Sequence, residues 1–378
     1  MNLLWFFLPA IIVFGVITSY EDFKHRKIRN KLVVLALMYA FLAMAIVIIL
    51  SLWRGGSVNS AYLVEWFFNM CFVLVAGLTI WFAGMWTAGD AKLFLAYAAL
   101  VPLTVYQYGK VAHFPSFAIV VNTFTPFFIY FTVKVLIRTS WKEKLEITKD
   151  MLSPKTLLNF VVFVFAFYWA ILFAVRFMPP SYAAVATNFF SSVIILFIIL
   201  ILLRKLLRIN YLYLAMIIGL IGIIVDYRTI LTSSFLYRFL ITLVVFVFVI
   251  YFVVHLGFRM FAKSVYLEDL KPGMIPAENI VEVKGGYSKR KMVPISLISG
   301  LLERFEGTLL FKDPARGITE EEIAEVRKLH SWGRINDHSI AIYPTMSFAP
   351  FMFAGVILTL LARGDAFAYL RVLIEKLL

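Results

Sequence analysis

Asp22 and Asp90 are the residues of this chain whose type and placement could do chemistry. Only eight Asp or Glu precede residue 260: Glu21, Asp22, Glu65, Asp90, Glu143, Glu146, Asp150 and Asp226. Exposing a lone carboxylate to lipid costs roughly 2.5 to 3.5 kcal/mol, so acid among long apolar stretches needs a reason. Glu143, Glu146 and Asp150 fall in a mixed-charge loop and read as a solvated surface. Glu65 and Asp226 fall at the outer ends of apolar stretches, where water can solvate them. Asp22, in "SYEDFKHRKIRNKL", closes one apolar stretch, and Asp90, in "GMWTAGDAKLFLAYAALVP", opens another. Taken singly, Asp90 reads equally well as an ordinary first-turn acid, and Asp22 as a local partner of Glu21 and the nearby cations. The pair says more, because two aspartates held within a few ångströms cannot both ionise cheaply and tend to share one proton. One carboxylate can then take a proton from water while the other protonates a scissile carbonyl oxygen, the roles exchanging as the tetrahedral intermediate collapses. Such chemistry needs no cofactor.

Other catalytic arrangements lack their parts. His25 lies in a basic hinge, His113 and His255 near the ends of apolar stretches, and His330 and His338 in a polar segment. Isolated histidines of this kind read as structural, and no metal site is expected. The single cysteine, Cys71, excludes an intrachain disulfide and a zinc site of paired cysteines.

The elements that must position the two aspartates can be read from composition. Of 378 residues, 62% are hydrophobic and 15% charged, against roughly 45–50% apolar in a soluble domain, which excludes a soluble enzyme. Stretches of about 17 to 25 apolar residues span a bilayer as helices. Ten are expected: Leu3–Tyr20, Leu32–Trp53, Tyr62–Met85, Leu93–Gly109, Pro115–Leu136, Thr156–Val175, Tyr182–Leu203, Ile209–Val225, Ser234–Phe258 and Pro344–Ala362. With Met1 outside, 28 of the 36 Lys and Arg fall on the inner side, as the positive-inside rule requires. The formal charge of +14 is therefore mainly a topological signal, and nucleic acid is not an expected partner. The cations from Lys24 to Lys31 are assigned to topology and anionic lipid headgroups. This orientation puts Asp22 and Asp90 together at the cytoplasmic face, and Asp365, in the similar "ARGDAFAYL", at the outer one.

The fold class expected is an all-α polytopic membrane protein of about ten transmembrane helices, with a small α+β cytoplasmic domain near the C-terminus. Its parts are a catalytic membrane domain over 1–137, additional transmembrane helices over 138–258, the cytoplasmic domain over 259–343, and a final helix and tail over 344–378. Within the cytoplasmic domain, Pro-Gly and Gly-Gly turn signals imply short strands. Thr319 and Glu322 have capping-box spacing ahead of a stripe of Ile323, Val326 and Leu329.

These residues resemble a known family, the type IV prepilin peptidases, aspartic membrane proteases of the Gly-x-Gly-Asp class. The first motif, an aspartate before a basic stretch ending like Ile-Pro-Asn, is matched by Asp22 with Ile28 and Asn30, although Arg29 stands at the Pro position. The second, Gly-x-Gly-Asp-x-Lys-Leu, is matched from Thr87 through Gly89, Asp90, Lys92 and Leu93, with Thr87 in place of the first Gly. The match covers residues 1–137, and the absence of cysteine pairs sets the chain apart from the zinc-binding, methylating bacterial form and nearer the longer archaeal members. The resemblance implies Asp22 and Asp90 as catalytic residues. It also implies membrane-embedded prepilin-like or prearchaellin-like precursors as substrates, cut after a short basic leader at the cytoplasmic face. Glu21, Thr87, Gly89 and Lys92 are the supporting or substrate-binding candidates. Gly89 would let the backbone approach a neighbouring element, and Lys92 would act on its neighbour's charge or reach the interface. Glu21 reads as an exposed helix-end residue, with binding of a leader cation as the alternative. Two rival functions remain at this point. A proton-coupled secondary transporter would use the same aspartates as a relay near the membrane midplane, and a non-catalytic scaffold would not need them at all.

Overall fold

The computed structural model describes residues 3–55, 59–82, 86–151, 153–180, 183, 211–248, 262–283, 286–291, 308–311, 317–335, 337–343 and 347–377. The expected span Tyr182–Leu203 lies outside them except for Ala183, as do residues 249–258 of the ninth span and 344–346 of the tenth. The chain divides into two compact units, one comprising 1–130, 171–206 and 346–378, the other 131–170 and 207–345.

The first unit contains α1 (Leu4–His25), α2 (Asn30–Trp53), α3 (Ser60–Phe82), α4 (Ala88–Leu100) and the start of α5 (Phe117–Arg138). Two helices from the far end of the sequence, which we label α11 (Ala349–Ala362) and α12 (Ala366–Leu377), complete it. The final helix is thus part of the same unit as residues 1–130, where the sequence boundaries set it apart. α4 occupies the centre, packed against α1, α2, α3 and α11, and Leu93, Phe94 and Ala96–Leu100 are buried along it. Its small residues permit this. A Cβ on Gly77 of α3 would already touch Ala91 of α4 at 3.5 Å.

The expected fourth span, Leu93–Gly109, is shorter and less regular than that. α4 has 13 residues, or about 20 Å at 1.5 Å per residue, against a hydrocarbon thickness of ~30 Å. Val101 and Pro102 end it, and a short 3₁₀ turn (Leu103–Val105) opens an irregular stretch with Val101, Leu103, Val105 and Tyr106 buried. Irregular backbone at membrane depth persists only where protein supplies its hydrogen bonds. Here Asn69 of α3 donates to Ser116 Oγ at 2.8 Å and accepts from Ser116 N at 3.0 Å. Gln107 N and Tyr108 N both donate to the Arg363 carbonyl, and Asp365 N donates to that of Tyr108. Asn122 of α5 holds the same turn, donating to Gly364 O and accepting from Ala366 N.

In the second unit, α7 (Pro154–Val175, its end lying in the first unit), α8 (Tyr211–Ile230) and α9 (Ser233–Val247) pack through aromatic rings. Phe163 stacks on Phe246 at 5.8 Å, and Gly222 sits against Trp169. Asp226 is buried, contrary to the expectation of a water-solvated outer end. It lies at a kink in α8 and accepts from Trp169 Nε1 at 3.3 Å. The stretch expected as a mixed-charge loop is largely a helix, α6 (Trp141–Met151). Among the described residues six helices, α1, α2, α3, α5, α7 and α8, are long and apolar enough to cross a membrane, with α9 and α11 shorter and apolar. The protein is a multi-pass membrane protein.

The small α+β region has the expected strands and helix. β1 (Lys263–Tyr266) and β2 (Ile275–Pro276) flank β6 (Ser339–Tyr343), while β4 (Gly286–Lys291) and β5 (Thr308–Leu309) flank β3 (Glu278–Val283), all antiparallel. α10 (Glu320–Ser331) starts with the Thr319–Glu322 capping box and buries Ile323, Val326 and Leu329 against Leu267, Ile280 and Ile340. His330 and His338, expected to be isolated, meet with Nε2 and Nδ1 3.0 Å apart.

α11 lies against its neighbours with no spare room. A Cβ on Gly355 would fall 2.6 Å from the Thr123 backbone of α5, where overpacking costs ~1–3 kcal/mol. Gly355→Ala is therefore expected to lower the thermal midpoint in detergent by several degrees. Gly55→Ala, where nothing stands within 4 Å but φ is +72°, should show only the smaller backbone effect.

Candidate active site

Asp22 lies in the last turn of α1, which runs on past the expected end at Tyr20 to His25. Its carboxylate is buried and held from outside its own helix, with Ala349 N at the start of α11 donating to Oδ2 at 2.9 Å. Its main-chain carbonyl is held as well. Arg26 N closes the helix onto Asp22 O at 2.9 Å, and Ser347 Oγ donates to the same oxygen at 3.1 Å. Arg26 Nη1 in turn donates to Ser347 Oγ. Arg26 reaches this position from a left-handed backbone, φ 53°, where the end of a helix more commonly carries Gly.

Asp90 is held by its own helix. Thr87 is the N-cap of α4 and Asp90 its third residue, and the two form a reciprocal capping box. Thr87 N donates to Asp90 Oδ2 at 2.8 Å, Thr87 Oγ1 donates to it at 2.7 Å, and Asp90 N donates back to Thr87 Oγ1 at 3.2 Å. One interaction thus starts the helix and fixes the carboxyl, which is buried. Thr87, where the motif has its first Gly, contributes a hydroxyl that Gly lacks, and that hydroxyl is bonded to Asp90.

The two aspartates belong to one end of the first unit. α1 packs against α4, and the charge of Asp22 acts on the Asp90 carboxyl. The Thr87 bonds to Asp90 and the Ala349 bond to Asp22 all go to Oδ2, and the Phe348 main-chain N–H also serves the Asp22 carboxyl.

The remaining candidates fall around this pair. Glu21 is buried rather than exposed, since Arg29 Nε lies 3.0 Å from its Oε1 and Arg29 N approaches its Oε2 at 3.4 Å. Burying a carboxylate requires such a partner, and Arg29, at a motif position expected to hold Pro, supplies it. Lys92 donates to Asn30 Oδ1 at 3.1 Å, tying α4 to the start of α2. Gly89 is not squeezed, because a Cβ there would stand 3.4 Å from Thr87 Oγ1 and 4.0 Å from Ile28 Cδ1, ordinary contact distances. Asp365 is at the other end of α11 from Ala349 and so of the 14-residue helix that holds Asp22. Among the described residues, no group of three or more His, Cys, Asp or Glu could hold a metal.

Sequence reasoning missed Ser347 and Ala349, for which no local signal exists, since they lie 325 and 327 residues from Asp22. It also missed the Thr87–Asp90 box, whose Thr-x-x-Asp spacing was legible. Loss of an N-cap costs ~0.5–2 kcal/mol. Thr87→Val should accordingly destabilise the folded protein by ~1 kcal/mol or more in a chemical or thermal unfolding series, and Thr87→Ser should restore most of it.

Residues 238–340 match the family model of the archaeal peptidase A24 C-terminal domain. The matched stretch begins in α9 and ends in β6, outside the 1–137 region that carries both aspartate motifs. No curated protein and no solved structure matches the chain.

Proposed function

We propose that the chain, whose residues 238–340 match the archaeal peptidase A24 C-terminal domain, is a prepilin-type peptidase, an aspartic endopeptidase using Asp22 and Asp90 as its catalytic dyad. The observation that supports this reading is that both carboxyls are buried, at the last turn of α1 and the first turn of α4, two helices that pack on each other, and that each is anchored through Oδ2. In the proposed mechanism a water lies between the two carboxyls. One carboxylate takes its proton as the water attacks the scissile carbonyl, the other gives a proton to the developing oxyanion, and the roles exchange on collapse to acid and amine.

The family implies pilin-like precursors as substrates, and we place the cleavage at the cytoplasmic face after a short basic leader, where Lys and Arg concentrate under the positive-inside rule. A precursor whose apolar helix already lies in the bilayer brings its leader junction to this interface. The cations of the 24–31 hinge then serve orientation and anionic headgroups, and no nucleic acid enters the function. Both aspartates sit in terminal turns of their helices, at the last turn of α1 and the first of α4. A proton relay would favour carboxylates within broken helices near the midplane, so the placement favours hydrolysis over transport.

Wild-type, Asp22→Asn, Asp90→Asn and Asp365→Asn proteins, incubated with a pilin-like precursor and resolved by size, provide the test. Cleavage should vanish in the first two variants, a loss of at least ~10³-fold in rate, and persist in the third. Wild-type cleavage by either dyad variant sinks the proposal.

A further inference from the structure

We propose that the entry to α11, Ser347 through Ala349, is a positioning element of the active site that sets the spacing of the two carboxylates; this rests on Asp22 and Asp90 being the catalytic dyad. Ala349 N holds the Asp22 carboxylate, and Ser347 Oγ holds the main-chain carbonyl of the same residue, so Asp22 is gripped at both its ends. Arg26 keeps the Ser347 hydroxyl pointed by donating to it, and does so from a left-handed backbone conformation. Phe348, between the two, faces the other aspartate's support. Its ring lies 5.8 Å from that of Trp86, the residue next to the Thr87 cap, and 5.9 Å from Phe124. Trp86 stacks on Phe124 at 6.0 Å with the rings 8° from parallel. Three consecutive residues thus touch the Asp22 anchor on one side and the residue that leads into the Asp90 anchor on the other.

The body of α11 fixes where this entry sits. Gly15 of α1 accommodates the Phe353 ring, and Gly355 meets the backbone of Thr123, so the helix cannot slide without opening both contacts. Tight packing of this kind transmits position, and reacting groups displaced by about 1 Å lose up to ~10²-fold in rate. Ser347 acts on the substrate only through Asp22. Its loss should therefore appear in kcat and not in substrate affinity.

The experiment uses full-length protein in one detergent, a pilin-like precursor with a fluorogenic junction, and separate determination of kcat and KM for wild type, Ser347→Ala, Ser347→Thr and Asp22→Asn. Ser347→Ala is expected to lower kcat about tenfold with KM within about twofold, and Ser347→Thr, which keeps the hydroxyl, to return kcat to within about threefold of wild type. If Ser347→Ala fails to fold, Arg26→Gln removes the same hydroxyl's donor from the other side and is read by the same criteria. A kcat within twofold of wild type, a loss carried by KM, or a failure of Thr to restore activity overturns the positioning role while Asp22→Asn stays inactive. Cleavage by Asp22→Asn would overturn the dyad instead.

Discussion

Two carboxylates buried in a helical unit of a membrane protein must each be supplied with hydrogen-bond donors by the protein, because lipid offers none and an unpaired buried charge is costly. The fold answers this requirement in two different ways. Asp90 is supplied locally, by the N-cap residue of its own helix, so that starting α4 and satisfying the carboxyl are one event. Asp22 stands at a helix C-terminus, where the nearby backbone offers carbonyls and not N–H groups. Its donor has to come from the beginning of another helix, and α11 provides it. Much of the first unit serves to bring that helix start to that carboxylate.

The short central helix belongs to the same solution. A span of full length would bury α4 end to end among its neighbours and carry the chain to the far interface. Instead the chain leaves helical geometry after Leu100, and its irregular backbone is met by Asn69, Asn122 and the turn after α11. α11 is therefore clamped at both ends to polar groups of the first 130 residues, to Asp22 at one and to Gln107 and Tyr108 at the other. Packing of Phe353 against α1 and of Gly355 against Thr123 fills the distance between the clamps.

How much of this was legible in the chain depended on range. Helical spans with strong apolar runs, the capping box at Thr319 and the turns of the small domain were readable because their signals lie within a few residues of their effects. The two aspartates stood out because acid is rare among apolar stretches. Short-range signals also misled. Asp226 reads as a solvated helix end but is covered by Trp169, 57 residues away, and His330 reads as isolated until β6 brings His338 beside it. The apolar run after Asp90 looks like one span, since composition does not reveal that Val101 and Pro102 stop the helix. Arg29 and Thr87, which stand as departures from a motif in the sequence, are explained only by the atoms they reach, Glu21 in one case and Asp90 in the other.

The distance of 327 residues between Asp22 and the amide that holds it also sets an order of assembly during synthesis. A ribosome adding ~5–20 residues per second delivers α1 and α4, and with them both carboxylates, many seconds before Ala349 exists. Through that interval the nascent chain carries both acids with Asp22 still lacking its partner from α11. Completion of the helical unit therefore waits on one of the later helices to be made.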